Sequence, residues 1–195
     1  RTPSVLVIAN GLPFSDLNGM VDFARKNPGK VRLGTAGQGS IGDLDVEILN
    51  GLTQAGILSV PFKGSGPAIT AMRGGHVEGV IVSLGSVSGT LKADAAKAIA
   101  LSDKFPGYES VPTLKELGYA QDLIGVWTAF VVAPGVPEST RKVLGAALAR
   151  SLQDPAVNTR ILPLGILNDY QPPARVLSMM REETAVVKEI GKRLG

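Results

Sequence analysis

A chain of 195 residues, 44% of them hydrophobic, is long enough to bury a substantial core, yet no apolar run approaches the roughly 18 residues of a membrane span. Its 20 basic and 17 acidic residues leave a net charge of +3, with no basic tract interleaved with aromatics, which argues against nucleic acid as a partner. Zero cysteines exclude disulfides and thiolate metal sites, and a single histidine excludes a histidine-rich metal centre.

In chain order, Arg1-Thr-Pro-Ser gives way at once to Val5-Leu-Val-Ile-Ala9, which reads as a strand interior with neither methionine nor signal sequence before it. The expectation is a longer protein whose upstream part is absent here. Ser15 is a suitable N-cap for a helix carrying Leu17, Met20, Val21 and Ala24, stopped by Pro28-Gly29. Val31 and Leu33 then alternate as in a short strand, Gly34 to Gly42 form a glycine-rich turn, and Ile41, Leu44, Ile48, Leu52 and Ala55 mark a helix. Strand, glycine turn and helix N-terminus together suit an anion, because the first helical N–H groups lack internal partners and small side chains allow close approach. Thr35 and Ser40 add hydroxyls, and Ser40 is also a candidate N-cap. An ordinary tight turn explains this segment equally well.

Leu58 to Phe62 reads as a second strand, followed by Lys63-Gly64-Ser65 and a helix with Pro67 suited to its first position. Two anion-friendly helix starts thus arise from adjacent βα units, and in a parallel sheet both open on the same carboxyl edge. Gly75 to Ser83 reads as a third strand leading into a short helix to Lys92, and Lys97 to Leu101 as a fourth strand. Thr113 to Leu117 is a short helix, Ile124 to Ala133 a long apolar strand, and Pro137 or Glu138 opens a helix to about Gln153. A shorter helix after Asp154-Pro155 and a strand-like Gly165-Ile-Leu-Asn168 come next. A final helix starts at Pro172-Pro173, with Val176, Met180, Thr184, Val187 and Ile190 on one face. The alternation predicts a mostly parallel α/β sheet.

Several segments together resemble a family. Asn27-Pro-Gly-Lys-Val-Arg-Leu-Gly-Thr-Ala-Gly-Gln-Gly-Ser, Val60-Pro-Phe-Lys-Gly-Ser-Gly-Pro-Ala, Leu91-Lys-Ala, Val111-Pro-Thr-Leu-Lys-Glu-Leu-Gly and Val132-Ala-Pro-Gly-Val-Pro follow in order. They are similar to the extracytoplasmic solute receptors of tripartite tricarboxylate transporters, the Bug family. The resemblance implies a type II periplasmic-binding-protein-like fold, with a complete second lobe and a first lobe lacking its N-terminal part. Residues 10–122 would form the second ligand-binding lobe, and 1–9 and 123–195 the crossing strands and the C-terminal part of the first. It further implies a periplasmic, non-enzymatic protein without cofactor, binding a small organic carboxylate and engaging the membrane subunits of a secondary transporter. Carried over by position, Thr35, Ala36, Gly37, Gln38, Gly39 and Ser40 match the ligand loop, and Lys63, Gly64 and Ser65 its neighbour; Ser83 ends the following strand. Family members often carry histidine where Asp43 stands, and an acidic residue and a proline where Val82 and Gly85 stand. These departures leave open a ligand less charged or more apolar than a citrate-like acid, or a diverged receptor.

Two other readings stand beside this one. Gly37-x-Gly39-x-x-Gly42 matches a dinucleotide fingerprint in the required context, but Lys63-Gly64-Ser65 stands where an acidic ribose clamp belongs, so only a fragment of an NADP-dependent oxidoreductase would fit. Alternatively, a truncated chain self-associates over an exposed sheet edge. His76 reads as a surface residue without catalytic partners, and Lys63 either binds an anion or covers apolar surface with its stem. Asp43, Asp45 and Glu47 fall in one helix's first turns, where the macrodipole favours acids. Trp127 and Phe130 would lie on opposite faces of a strand, with Trp127 a candidate to line a cleft.

Overall fold

The computed structural model describes residues 1–194. In order along the chain are β1 (Ser4–Ala9), α1 (Leu17–Lys26), β2 (Arg32–Thr35), α2 (Ile41–Thr53), β3 (Leu58–Pro61), α3 (Ser65–Arg73), β4 (Gly79–Ser83), α4 (Leu84–Lys92) and β5 (Ala96–Leu101). There follow α5 (Glu138–Gln153), α6 (Pro155–Ile161), a 3-10 turn (Leu162–Leu164) and α7 (Pro173–Leu194). Among the described residues no helix is long and apolar enough to cross a membrane.

The strands form one five-stranded sheet in the order β3-β2-β4-β1-β5. β2 pairs in parallel with β3 and β4, whereas β1 pairs antiparallel with both β4 and β5. Four of the five strands therefore run in one direction, as expected of a mostly parallel sheet, and the reversed β1 makes the sheet mixed, with two parallel and two antiparallel pairings. Successive side chains of β1 point to opposite faces. Leu6 and Ile8 join Leu17 and Met20 of α1 and Ile48 and Leu49 of α2 in one core, while Val5 and Val7 join Ala68 and Met72 of α3 and Leu84 and Val87 of α4 in the other. Because both faces are covered, β1 and β4 read as unbroken apolar runs rather than alternating ones. Register between β2 and β4 is reinforced by Glu78, which accepts from the Arg32 backbone N–H at 2.8 Å and forms a two-pronged pair with its guanidinium.

Several expectations are corrected. The N-cap of α1 is Asp16 rather than Ser15: Asp16 is extended and its carboxylate accepts from Gly19 N–H at 2.8 Å. Gly64, at φ 110°, precedes α3, so Pro67 is the third helical residue, still within the turn whose N–H groups need no intrahelical acceptor. Thr113 to Leu117 makes a turn closed by reciprocal bonds, Thr113 N–H to Glu116 at 2.9 Å and Glu116 N–H to the Thr113 hydroxyl at 3.3 Å, and does not extend into a helix. Ile124 to Ala133 is not a strand. Val126 alone pairs, with Thr2, and Phe130 is 79% exposed. A strand requires a neighbour for its backbone donors, and no further strand lies along this segment among the described residues. Gly165–Asn168 likewise pairs through one residue, Leu167 donating to the Arg1 carbonyl at 2.7 Å. On α7, Ile190 is buried, whereas Met180 and Val187 of the same stripe are exposed; Met179 is buried as well.

Candidate functional site

The connections after β2 and β4 leave toward opposite faces, since α2 belongs to one core and α4 to the other. Such a divergence marks the carboxyl edge between these two strands as the position at which open α/β sheets place ligands. Parallel pairing of β2 with β3, Thr35 opposite Pro61, brings the Thr35–Ser40 and Phe62–Ser65 loops to this edge together. β4 runs the same way, so Ser83 ends there too.

The two loops are joined directly. Phe62 N–H donates to the Thr35 carbonyl at 3.0 Å, and Gly64 N–H to the Ala36 carbonyl at 2.9 Å. Gly37 is at φ 149° and packs so that an added Cβ would lie 3.4 Å from the Phe62 carbonyl oxygen. Gly39 is at φ 70°, a conformation that an L side chain resists. Gly42 serves a different need: a Cβ there would lie 2.2 Å from the Ile81 carbonyl oxygen, so glycine is what allows α2 to reach β4.

The loop uses part of its own donor set. Ser40 caps α2, accepting from Asp43 N–H at 3.4 Å, and its own N–H donates to the Gly37 carbonyl at 3.1 Å. Gly39 N–H donates to the Asp43 carboxylate at 2.8 Å, and the other oxygen of that carboxylate accepts from the Ser59 hydroxyl on β3. Thr35 is fully buried, its hydroxyl making a long 3.5 Å contact with the Gly37 carbonyl. Among the described residues, backbone N–H groups of Ala36, Gly37, Gln38, Lys63, Ser65 and Gly66 keep no protein acceptor. They belong to the two loops that the Phe62–Thr35 and Gly64–Ala36 bonds join. Lys63 is exposed and enters no ion pair among the described residues, and the Ser83 and Ser86 hydroxyls bond each other at 2.8 Å. Such an edge can hold an oxyanion by backbone donors. The dinucleotide reading finds no support in it, because Gly39 N–H, which would face a pyrophosphate, is occupied by Asp43.

One residue at this end was missed as a structural element. Asp45 of α2 is completely buried; it accepts from the Ser4 hydroxyl at 2.7 Å and from Ile124 N–H at 2.7 Å. It ties α2 to the start of β1 and to the segment at Ile124. Burial raises its pKa to about 7, against the lowering effect of the Ser4 and Ile124 hydrogen bonds. The signal was present in the sequence: Asp45 continues the i, i+3, i+4, i+7 stripe of Ile48, Leu49 and Leu52, so a charge sits inside the buried face. His76 is exposed, as expected. Trp127 donates its indole N–H to Glu183 of α7 at 2.6 Å. A cavity of about 440 Å³ lies elsewhere, between α4, residues 105–108 and the 3-10 turn; its lining is mostly apolar, with Lys92 the single charged side chain.

Comparison with known proteins bears on this arrangement. The family model described as tripartite tricarboxylate transporter family receptor matches residues 1–195. The chain belongs to that family. A UPF0065 protein of Agrobacterium vitis is 31% identical over 188 residues, covering 92% of this chain and 54% of the relative. MatC from Rhodopseudomonas palustris, solved with bound malate, superposes with a TM-score of 0.81 at 26% identity, over 97% of this chain and 66% of that one. An R. palustris protein solved with adipate superposes with a TM-score of 0.86 at 23% identity, over 98% of this chain and 65% of that one. The chain thus spans about half the length of the relative and about two thirds of the solved structures. The periplasmic-binding-protein-like α/β fold expected from the sequence is the fold of this chain.

Proposed function

We propose that this chain is the ligand-gripping part of an extracytoplasmic receptor that captures a small organic carboxylate for a tripartite tricarboxylate-type transporter. The observation that carries the reading is the pair of abutting loops after β2 and β3, which lie side by side at the sheet's carboxyl edge and keep unpartnered backbone N–H groups. In this reading a carboxylate is held by the N–H groups of Ala36, Gly37 and Gln38 from the first loop and of Lys63, Ser65 and Gly66 from the second. Lys63 supplies a mobile cation and the Ser65 and Ser83 hydroxyls further donors. Gly39, Gly64, Ser40 and Thr35 shape the loops rather than contact the ligand. Residues 10–122 form the lobe that carries these loops. Residues 1–9 and the segment from 123 connect it to the C-terminal helices, and closure over the ligand presents the form that the transporter's membrane subunits recognise. The family membership and the malate bound by MatC support this reading.

A thermal-shift panel of mono-, di- and tricarboxylates tests it. An acid present at 100 times its dissociation constant adds about 2.7 kcal/mol, which raises Tm by roughly 5–10 °C for a chain of this size. A shift confined to a few acids is the expected result; a flat panel on the folded chain contradicts the reading.

A further inference from the structure

Asp43, in the first turn of α2, turns its carboxylate back onto the glycine loop after β2. Its two oxygens are held by Gly39 N–H, at 2.8 Å, and by the Ser59 hydroxyl, and it forms no ion pair among the described residues. The side chain is half-buried, so water screens its charge only in part. Gly39 is two residues from Gly37, and two residues of chain reach at most about 7 Å. The negative charge therefore sits within one short loop of the donors left for ligand.

We propose that Asp43 is a specificity-determining residue of this edge: its carboxylate occupies the Gly39 N–H of the glycine loop from within, and so selects monoanionic acids over dianionic ones. The proposal rests on the carboxylate-binding reading above. A single carboxylate settles on the free N–H groups of Ala36 and Gly37 and of the neighbouring loop. A second anionic group arriving on the same side meets Asp43 rather than Gly39 N–H, and like charges repel at this range. A hydroxyl or ammonium group at that position is instead attracted.

The test compares succinate with butyrate, by calorimetric titration, on the 195-residue chain and on its Asp43→Asn variant. The amide keeps both contacts, its oxygen accepting from Gly39 N–H and its NH₂ donating to Ser59, and removes only the charge. At low salt succinate should bind the variant about tenfold tighter, butyrate no more than about threefold tighter, and high salt should narrow the gap. In a second variant, Asp43→Ala, the freed Gly39 amide should shift in the NMR spectrum when succinate is added. If both acids bind and Asp43→Asn changes them equally or not at all, the assignment of Asp43 is overturned while the carboxylate reading stands. If neither acid nor any other carboxylate binds either form, both fall.

Discussion

The chain contains two kinds of helix with similar apolar patterns and opposite fates. α2 packs on the sheet, with α7 against it as well, and buries Val46, Ile48 and Leu49 almost completely. α5, with Val143, Leu144 and Leu148 at comparable spacing, buries none of its residues, and Val143 is 67% exposed. Periodicity alone does not tell them apart. What separates them is the sheet: α2 covers β2, β3 and β4, whereas α5 touches chiefly α6. A helical stripe states that a face is available, and stability follows only where a second surface takes it up.

The largest expected difference follows directly. Leu49→Ala should cost about 2–5 kcal/mol in urea unfolding, because the cavity it leaves is enclosed, whereas Val143→Ala should change stability by less than about 0.5 kcal/mol. Equal costs would break the comparison.

Asp45 sharpens it electrostatically. Its pKa is raised to about 7, so the folded chain binds this proton more tightly than the unfolded chain does. Its contribution to stability is therefore full below about pH 4, falls as the pH rises toward 7, and levels off above that. The slope from this group reaches at most about 1.4 kcal/mol per pH unit. Unfolding of Asp45→Asn should lack that component, because the amide keeps a donor and an acceptor for Ser4 and Ile124 and carries no charge. Identical pH profiles for the two proteins would contradict the assignment.

Glycine provides the finest contrast. Gly42→Ala in α2 drives a Cβ to 2.2 Å from the Ile81 carbonyl oxygen and should cost about 1–3 kcal/mol or more. Gly145→Ala in α5 meets nothing within 4 Å and should stabilise by about 0.5–1 kcal/mol. Thermal melts of the two variants should therefore move in opposite directions.

Much of the sheet region was legible because its signals agree with one another. The strands at 5–9, 31–35, 58–62 and 97–101, the glycine turn and the Ser40 cap all have local causes that the three-dimensional packing repeats. The reversed direction of β1 was not legible, since strand direction is a property of pairing rather than of residues. The segment 124–133 misled for a related reason: β-branched and aromatic composition marks a chain suited to a sheet, but Phe130 and Val131 find no strand beside them here. At the candidate site the loops were legible and the distribution of their donors was not. Nothing in the order Gly39, Ser40, Asp43 announces that the aspartate turns back onto the glycine amide instead of facing outward, because that depends on Ser59 arriving from β3. Asp45 shows the converse, a buried charge whose position on the helical stripe was readable although the dipole explanation concealed it.

The central claim is that the free amides where the loops after β2 and β3 meet hold a carboxylate. An NMR titration of the ¹⁵N-labelled chain with a series of small mono- and dicarboxylates addresses it most directly. The account predicts saturable shifts at Ala36, Gly37, Gln38, Lys63, Ser65 and Gly66, with the amides of α5 and α7 unmoved. Shifts centred instead on α4 and residues 105–108, around the apolar cavity, or no shift with any acid, would contradict it.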